Sequence, residues 1–387
     1  MGMVGDQPLP PPPAPPHEGE GGRRTPGNGS LPLVWGRAGV GGRCMSDPDI
    51  LFEQRGKAGV VTLNRPSALN ALTMAMVEEM SATLERWAGD DAVRHVIIRA
   101  NGGKAFCAGG DIRALYDWGR AKDPRFFDFF HAEYMLNTQI KRFPKPYVAL
   151  IDGITMGGGV GVSMHGSHRV ASERLVFAMP ETGIGFFPDV GGTYFLPRLP
   201  GQAGMYFGLT GARARTGDAC YAGIATHHVP SGRFGELVEA LINADSVDDY
   251  LAGFVDEPEP GVLKDRQSDI DRHFGHDSVE AILASLDGDP SDWAQKTAAT
   301  LRGKSPTSLK VTFRQLREGR DCAFEACMRL EYRIIHRVAD GHDFYEGIRA
   351  AVIDKDGMPR WRPGSLEEVS EADVAQYFAA IADELPV

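Results

Sequence analysis

Short apolar runs separated by helix-length segments constrain this chain more than any other feature. Val60–Leu63 (VVTL), His95–Ala100 (HVIIRA) and Lys145–Ile151 (KPYVALI) are rich in β-branched residues and too short for helices. Between the first two, Met76, Met80, Leu84 and Trp87 recur at helical spacing behind Thr73, a suitable N-cap. Shorter strands are expected at Arg169–Ala171 and Leu175–Ala178. Such alternation predicts parallel strands joined by crossovers, an α/β core. After about Pro230 the apolar residues follow mainly helical spacing, with a linker near Pro258 and Pro260. Residues 1–44, with PLPPPPAPP and glycine-rich text, hold too few large apolar residues for a core and read as a disordered low-complexity tail. Met45 is then a candidate start. Residues 45–230 form the α/β core, and 231–387 a helical C-terminal region.

The chemistry-bearing residues sit where strands give way to helices. In AFCAGGDIR, Gly109 and Gly110 precede a segment that turns helical from Asp111; in TMGGGVG, Gly157, Gly158 and Gly159 open a helix expected to reach about His165. Glycine lets backbone approach a ligand closely, and a helix N-terminus offers unpaired N–H groups. Two such donors converging on one oxygen would make an oxyanion hole. Two carboxylates follow among apolar residues, Glu181 in MPETG and Asp189 in FPDVGG. Burial and mutual repulsion raise carboxyl pKa values, which fits an acid, base or nucleophile near neutral pH. Glu133, taken alone, reads as a solvated helix residue.

Several classes are disfavoured. Val162 replaces the glycine a dinucleotide fingerprint needs, no GK[ST] follows for a phosphate loop, and Ser163 lacks the second glycine of a nucleophile elbow. The histidines lack metal-site spacing, DGDPSD lacks the glycine of a calcium loop, and Cys107 has no assigned base, so no metal is expected. A net charge of −11 argues against nucleic acid or an anionic membrane as partner. No apolar run is long enough to span a bilayer. Five cysteines without CxxC spacing suit a reducing cytoplasm.

Together, LNRPSALNAL, KAFCAGGDIR, TMGGGVG, MPETGIGFFPDVGG and YFLPRLPG resemble the crotonase (enoyl-CoA hydratase/isomerase) superfamily, and within it the branch that hydrolyses 3-hydroxyisobutyryl-CoA. The resemblance covers roughly Ile50 to Pro386. It implies a spiral of ββα units with a helical C-terminal region, acting on acyl-CoA with no cofactor, since CoA is part of the substrate. It places the oxyanion donors on the N–H groups of Gly110 and Gly158, the catalytic acid on Glu181 and a branch-specific acid on Asp189. Glu133 matches a substrate-contacting glutamate, and the CoA adenine is expected against the backbone of Ala108, Asp111 and Ile112. Asp189 would orient the substrate hydroxyl or water and assist proton transfer. Hydratases carry a second glutamate where this chain has Gly161, so thioester cleavage is favoured. The alternatives are hydration or isomerisation of another acyl-CoA, and a non-catalytic acyl-CoA-binding subunit. Homo-oligomeric assembly is left open, as is the choice between nucleophile and general base for Glu181.

Overall fold

The first strands explain how the rest is laid down. In the computed structural model, which describes residues 47–387, β1 (Ile50–Arg55) pairs antiparallel with β2 (Ala58–Leu63). The expected tail over 1–44, and Met45 as a start, lie outside the described residues. From β2 onward every ladder is parallel. The large sheet runs β1, β2, β3 (His95–Ala100), β5 (Tyr147–Ile151), β7 (His168–Ala171) and β9 (His227–His228). A second sheet holds β4 (Ala105–Cys107), β6 (Ile154–Met156) and β8 (Val176–Ala178). Each successive pair, β3–β4, β5–β6 and β7–β8, puts its first strand in the large sheet and its second in the small one. Helices carry the chain back between pairs. That is the ββα spiral, with helices dominating after His228.

The large sheet is covered on both faces, as parallel sheets require. Val61, Val96, Ile98 and Ala149 join the main core with α1 (Met74–Gly89). Val60, Ile97, Val148 and Val170 point the other way, onto Leu237, Val238 and Leu241 of helix Phe234–Ile242. Thr73 caps α1 by accepting from the Met76 N–H at 3.2 Å, and Met76, Met80, Leu84 and Trp87 are all buried. Two expectations fail. The supposed loop NGGKAFCAGG contains β4, and β6 was not anticipated, because three-residue strands are too short to show a period of two. The helix after the glycines, α4, spans only Gly158–Gly161. Three of its four residues are glycine, each costing about 1 kcal/mol against alanine, so nothing sustains it to His165.

Two further helices, α2 (Ile112–Ala121) and α3 (Arg125–Lys141), complete the second unit. The C-terminal helices then close one side of the molecule. Helix Phe324–Val338 packs on α3 and on the short α5 (Gly192–Phe195), helix Pro306–Gly319 on α5, and helix Asp343–Ile348 on the turn Glu181–Ile184. Residues 255–261 are irregular, where the linker was expected. Among the described residues no helix is long and apolar enough to cross a membrane.

Candidate active site

The two glycine loops meet. The Leu72 N–H donates to the Gly109 carbonyl and the Asp111 N–H to the Leu72 carbonyl, both at 2.9 Å. This single parallel bridge pairs Leu72 with Gly110, so the Gly110 N–H faces away from Leu72. Gly109 reaches the geometry with φ of +127°. Gly157, at φ +47°, turns the chain into α4, whose first N–H groups have no partner within the helix. The approach is close: a Cβ on Gly157 would lie 3.3 Å from Gly109 Cα and 3.7 Å from Glu181 Oε1. One on Gly158 would lie 3.3 Å from the Gly109 carbonyl carbon and 2.6 Å from Glu133 Oε1. Both loops and two carboxylates therefore share one place.

Burial governs the acids. Glu133, Glu181, Asp189 and Glu331 are only 2, 5, 4 and 0 % exposed. Burial, then the Asp189 charge, pushes Glu181 well above the usual carboxylate range, while the Lys304 ammonium pulls the other way. Glu133 is raised well above that range by burial first and by Asp189 and Glu331 next. Asp189 rises to about 7 through burial, opposed by the Tyr134 hydroxyl, which donates to Oδ2 at 3.0 Å. Glu331 rises to about 8, by burial and the Asp189 charge. Carboxyls this close titrate as a set and share protons near neutral pH. Glu133 Oε1 and Glu181 Oε2 have no hydrogen-bond partner within the described chain.

The turn carrying Asp189 is held from several sides. Both Glu331 oxygens accept backbone N–H groups, from Gly191 at 2.8 Å and Thr193 at 2.9 Å. The Gln315 amide donates to the Pro188 carbonyl at 2.6 Å and to Thr193 Oγ1 at 2.7 Å. His165 Nε2 donates to the Val190 carbonyl at 2.7 Å. Val190 sits at φ +48°, an unfavourable left-handed conformation for a β-branched residue. Strain of that size persists only where the surroundings over-determine it.

The sequence-derived candidates fall as follows. The glycine loops of Gly110 and Gly158 come together with Glu181 and Glu133, and Asp189 lies near enough for its charge to act on both of those acids. Glu133 is not solvated: α3 is sandwiched between α1 and helix Phe324–Val338, and the Glu133 side chain lies on its covered side. Ala108, Asp111 and Ile112 run along the partly exposed edge beside Gly110. The Asp111 carboxylate caps α2, accepting from Ala114 N–H at 3.3 Å, and pairs with Arg65 at 2.9 Å. Gly161 has no room for a carboxylate, since a Cβ there would lie 2.7 Å from Asn137 Nδ2 and 3.0 Å from Val190 Cβ. Cys107 is buried and its thiol is pushed up to about 12, unsuited to nucleophilic attack. Among the described residues no group of three or more His, Cys, Asp or Glu is placed to hold a metal ion. Tyr134, Asn137, Gln315 and Glu331 are not apparent as site residues from sequence. For Glu331 a signal exists, because it falls on the buried spacing Cys327, Glu331, Ile335.

Comparison with known proteins identifies the family. Residues 58–378 match a family model described as enoyl-CoA hydratase/isomerase. The chain is 46 % identical over 363 residues to a mitochondrial 3-hydroxyisobutyryl-CoA hydrolase from Xenopus laevis, covering 91 % of this chain and 94 % of that one. It is 48 % identical over 343 residues to the protein of that name from Danio rerio, covering 86 % and 90 %. A crystal structure titled carnitinyl-CoA dehydratase, from Mycobacterium thermoresistibile, superposes with a TM-score of 0.84 at 43 % identity, over 88 % of this chain and 98 % of that one. The family model and these relatives span nearly all of the described residues, and this chain belongs to the enoyl-CoA hydratase/isomerase family.

Proposed function

We propose that this protein hydrolyses the thioester of 3-hydroxyisobutyryl-CoA to 3-hydroxyisobutyrate and CoA, a step in valine breakdown. The observation that carries the reading is the meeting of the Gly109–Gly110 and Gly157–Gly158 loops beside the Glu181 carboxylate. The thioester oxygen sits between the Gly110 and Gly158 N–H groups, which stabilise the charge it gains as the carbonyl carbon becomes tetrahedral. Glu181, its basicity raised by burial, either removes a proton from the attacking water or attacks the carbonyl itself to give an anhydride that water opens. Asp189, with its pKa near 7, gives a proton to the departing thiolate and recovers it from the incoming water. The sum is one water consumed, one C–S bond broken and one C–O bond formed. Glu133 lines the acyl end, and the edge from Ala108 to Ile112 takes the adenine.

The filled space at Gly161 supports hydrolysis over hydration, which calls for two acids around the added water. Thiol release from 3-hydroxyisobutyryl-CoA, followed with DTNB and lost in Glu181→Ala, tests the reading. Crotonyl-CoA hydration without thiol release would overturn it. Oxygen-18 entering the Glu181 side chain in a single turnover would select the anhydride route. The four described cysteines are free, which fits the expected reducing cytoplasm and equally a mitochondrial location, the one in the relatives' names.

A further inference from the structure

Asn137 lies on α3 one turn beyond Glu133, so both side chains leave the helix on one face. It is fully buried, and neither Nδ2 nor Oδ1 has a hydrogen-bond partner within the described chain. Its amide lies against α4, where a Cβ on Gly161 would fall 2.7 Å from Nδ2 and 3.2 Å from Oδ1. Glu133 Oε1, also unpartnered, meets the same helix at Gly158. The two groups therefore run along α4 inward from the oxyanion-donor end.

A buried amide with both ends open is costlier than a leucine of similar volume, unless something outside the chain pairs with it. That partner must accept from Nδ2–H and donate to Oδ1. A carboxylate only accepts, an ammonium only donates, and a methyl does neither. A hydroxyl does both. Gly158 and Gly161 are separated by about 4.5 Å along the helix axis, and three carbon–carbon-like bonds span roughly 4 Å. The Gly158 N–H points out of the N-terminal end of α4, so with the thioester oxygen held there the acyl chain runs inward past Glu133 towards Asn137, and the oxygen on the third carbon of a 3-hydroxyacyl chain is the first group on it that both donates and accepts. We propose that Asn137, backed by Glu133, is the specificity-determining residue that binds the β-hydroxyl of the acyl group and so selects 3-hydroxyacyl over plain acyl thioesters. This assignment rests on the hydrolase reading for the placement of the carbonyl. It leaves Asp189, already tied to Tyr134, free for proton transfer.

The test separates the two ideas. Binding of 3-hydroxyisobutyryl-CoA and of isobutyryl-CoA is measured by calorimetry on Glu181→Gln, with and without Asn137→Leu. The leucine should weaken the hydroxylated ligand by about 10- to 100-fold and leave isobutyryl-CoA within about twofold. The same split should appear in kcat/KM for Asn137→Leu on the otherwise unaltered chain. Equal losses for both ligands, or no loss, would mean that Asn137 holds only a structural water, and would overturn the proposal. Should the leucine variant not fold, Asn137→Ala is measured in the same way. If the unaltered chain releases no thiol, the hydrolase reading fails, and the binding ratio still decides whether the hydroxyl is read.

Discussion

The two halves of the site are built on different principles. On the side of the proposed oxyanion donors, Gly110 and Gly158 are placed by backbone: a bridge to Leu72, a turn at Gly157 and the sheet that brings β4 beside β6. On the acid side, the turn holding Asp189 depends on side chains from far along the chain. Tyr134 is 55 residues from Asp189, Gln315 is 127 from Pro188, and Glu331 is 140 from Gly191. Backbone N–H groups in those places follow from the topology and the glycines of this chain. Carboxylates with shifted pKa values need burial and neighbours, and only the completed packing supplies those.

The sharpest way to break this contrast is to remove one group from each half. Glu181→Ala is expected to lower kcat by about 10³-fold or more in the thiol-release assay, with the circular dichroism spectrum unchanged. Gly158→Ala, whose methyl would meet Glu133 Oε1 and Leu72, should cost roughly 10²–10³ in kcat by displacing one donor. A smaller loss at Glu181 than at Gly158 would invert the relation between the halves.

Glu331→Ala tests the long-range support. It leaves the Gly191 and Thr193 N–H groups buried without an acceptor, so urea denaturation should show a loss of about 1–3 kcal/mol. Turnover should fall by about tenfold while KM for the CoA ester holds, because the donor loops are untouched. An unchanged kcat would mean that the turn keeps its shape without that grip.

The smallest effect is in pH dependence. Asp189 and Glu331 have folded pKa values of about 7 and 8, above their unfolded values, so the native state keeps protons that the unfolded chain has released. The resulting stability is complete below the unfolded carboxyl values and is lost as pH rises through about 7 to 8. Unfolding free energy should thus drop by about 2 kcal/mol between pH 6.5 and 8, and Asp189→Asn should flatten the slope. Below about pH 6.5, His165 acts in the opposite sense. Burial lowers its pKa to about 4, and protonating it costs stability as pH falls.

The donor side was also the more legible half. β3 lies where HVIIRA placed it, and α1 begins behind Thr73, because local periodicity and one cap decide both. The glycine loops were visible as motifs, and Glu181 and Asp189 stood out against apolar neighbours. Glu133 read alone as solvated, Asn137, Tyr134 and Gln315 gave no warning as site residues, and Glu331 showed only through its place on a buried helical spacing. A polar residue on a helix shows its burial only once its covering helices are known, and those of α3 lie at 74–89 and 324–338. The short α4 misled for a related reason. A helix start was readable from the glycines, but its end depended on how little their backbone can sustain.

The grip of Glu331 on the Asp189 turn also has a temporal side. A ribosome adds about 5–20 residues per second, so Glu331 follows Gly191, 140 positions earlier, by roughly 10–30 seconds. In that interval the spiral and its backbone donors have been synthesised, whereas the acid turn lacks its clamp. The acid half is therefore completed only when the last helices dock, and a chain cut short of them is expected to release thiol at least roughly tenfold more slowly than the full chain.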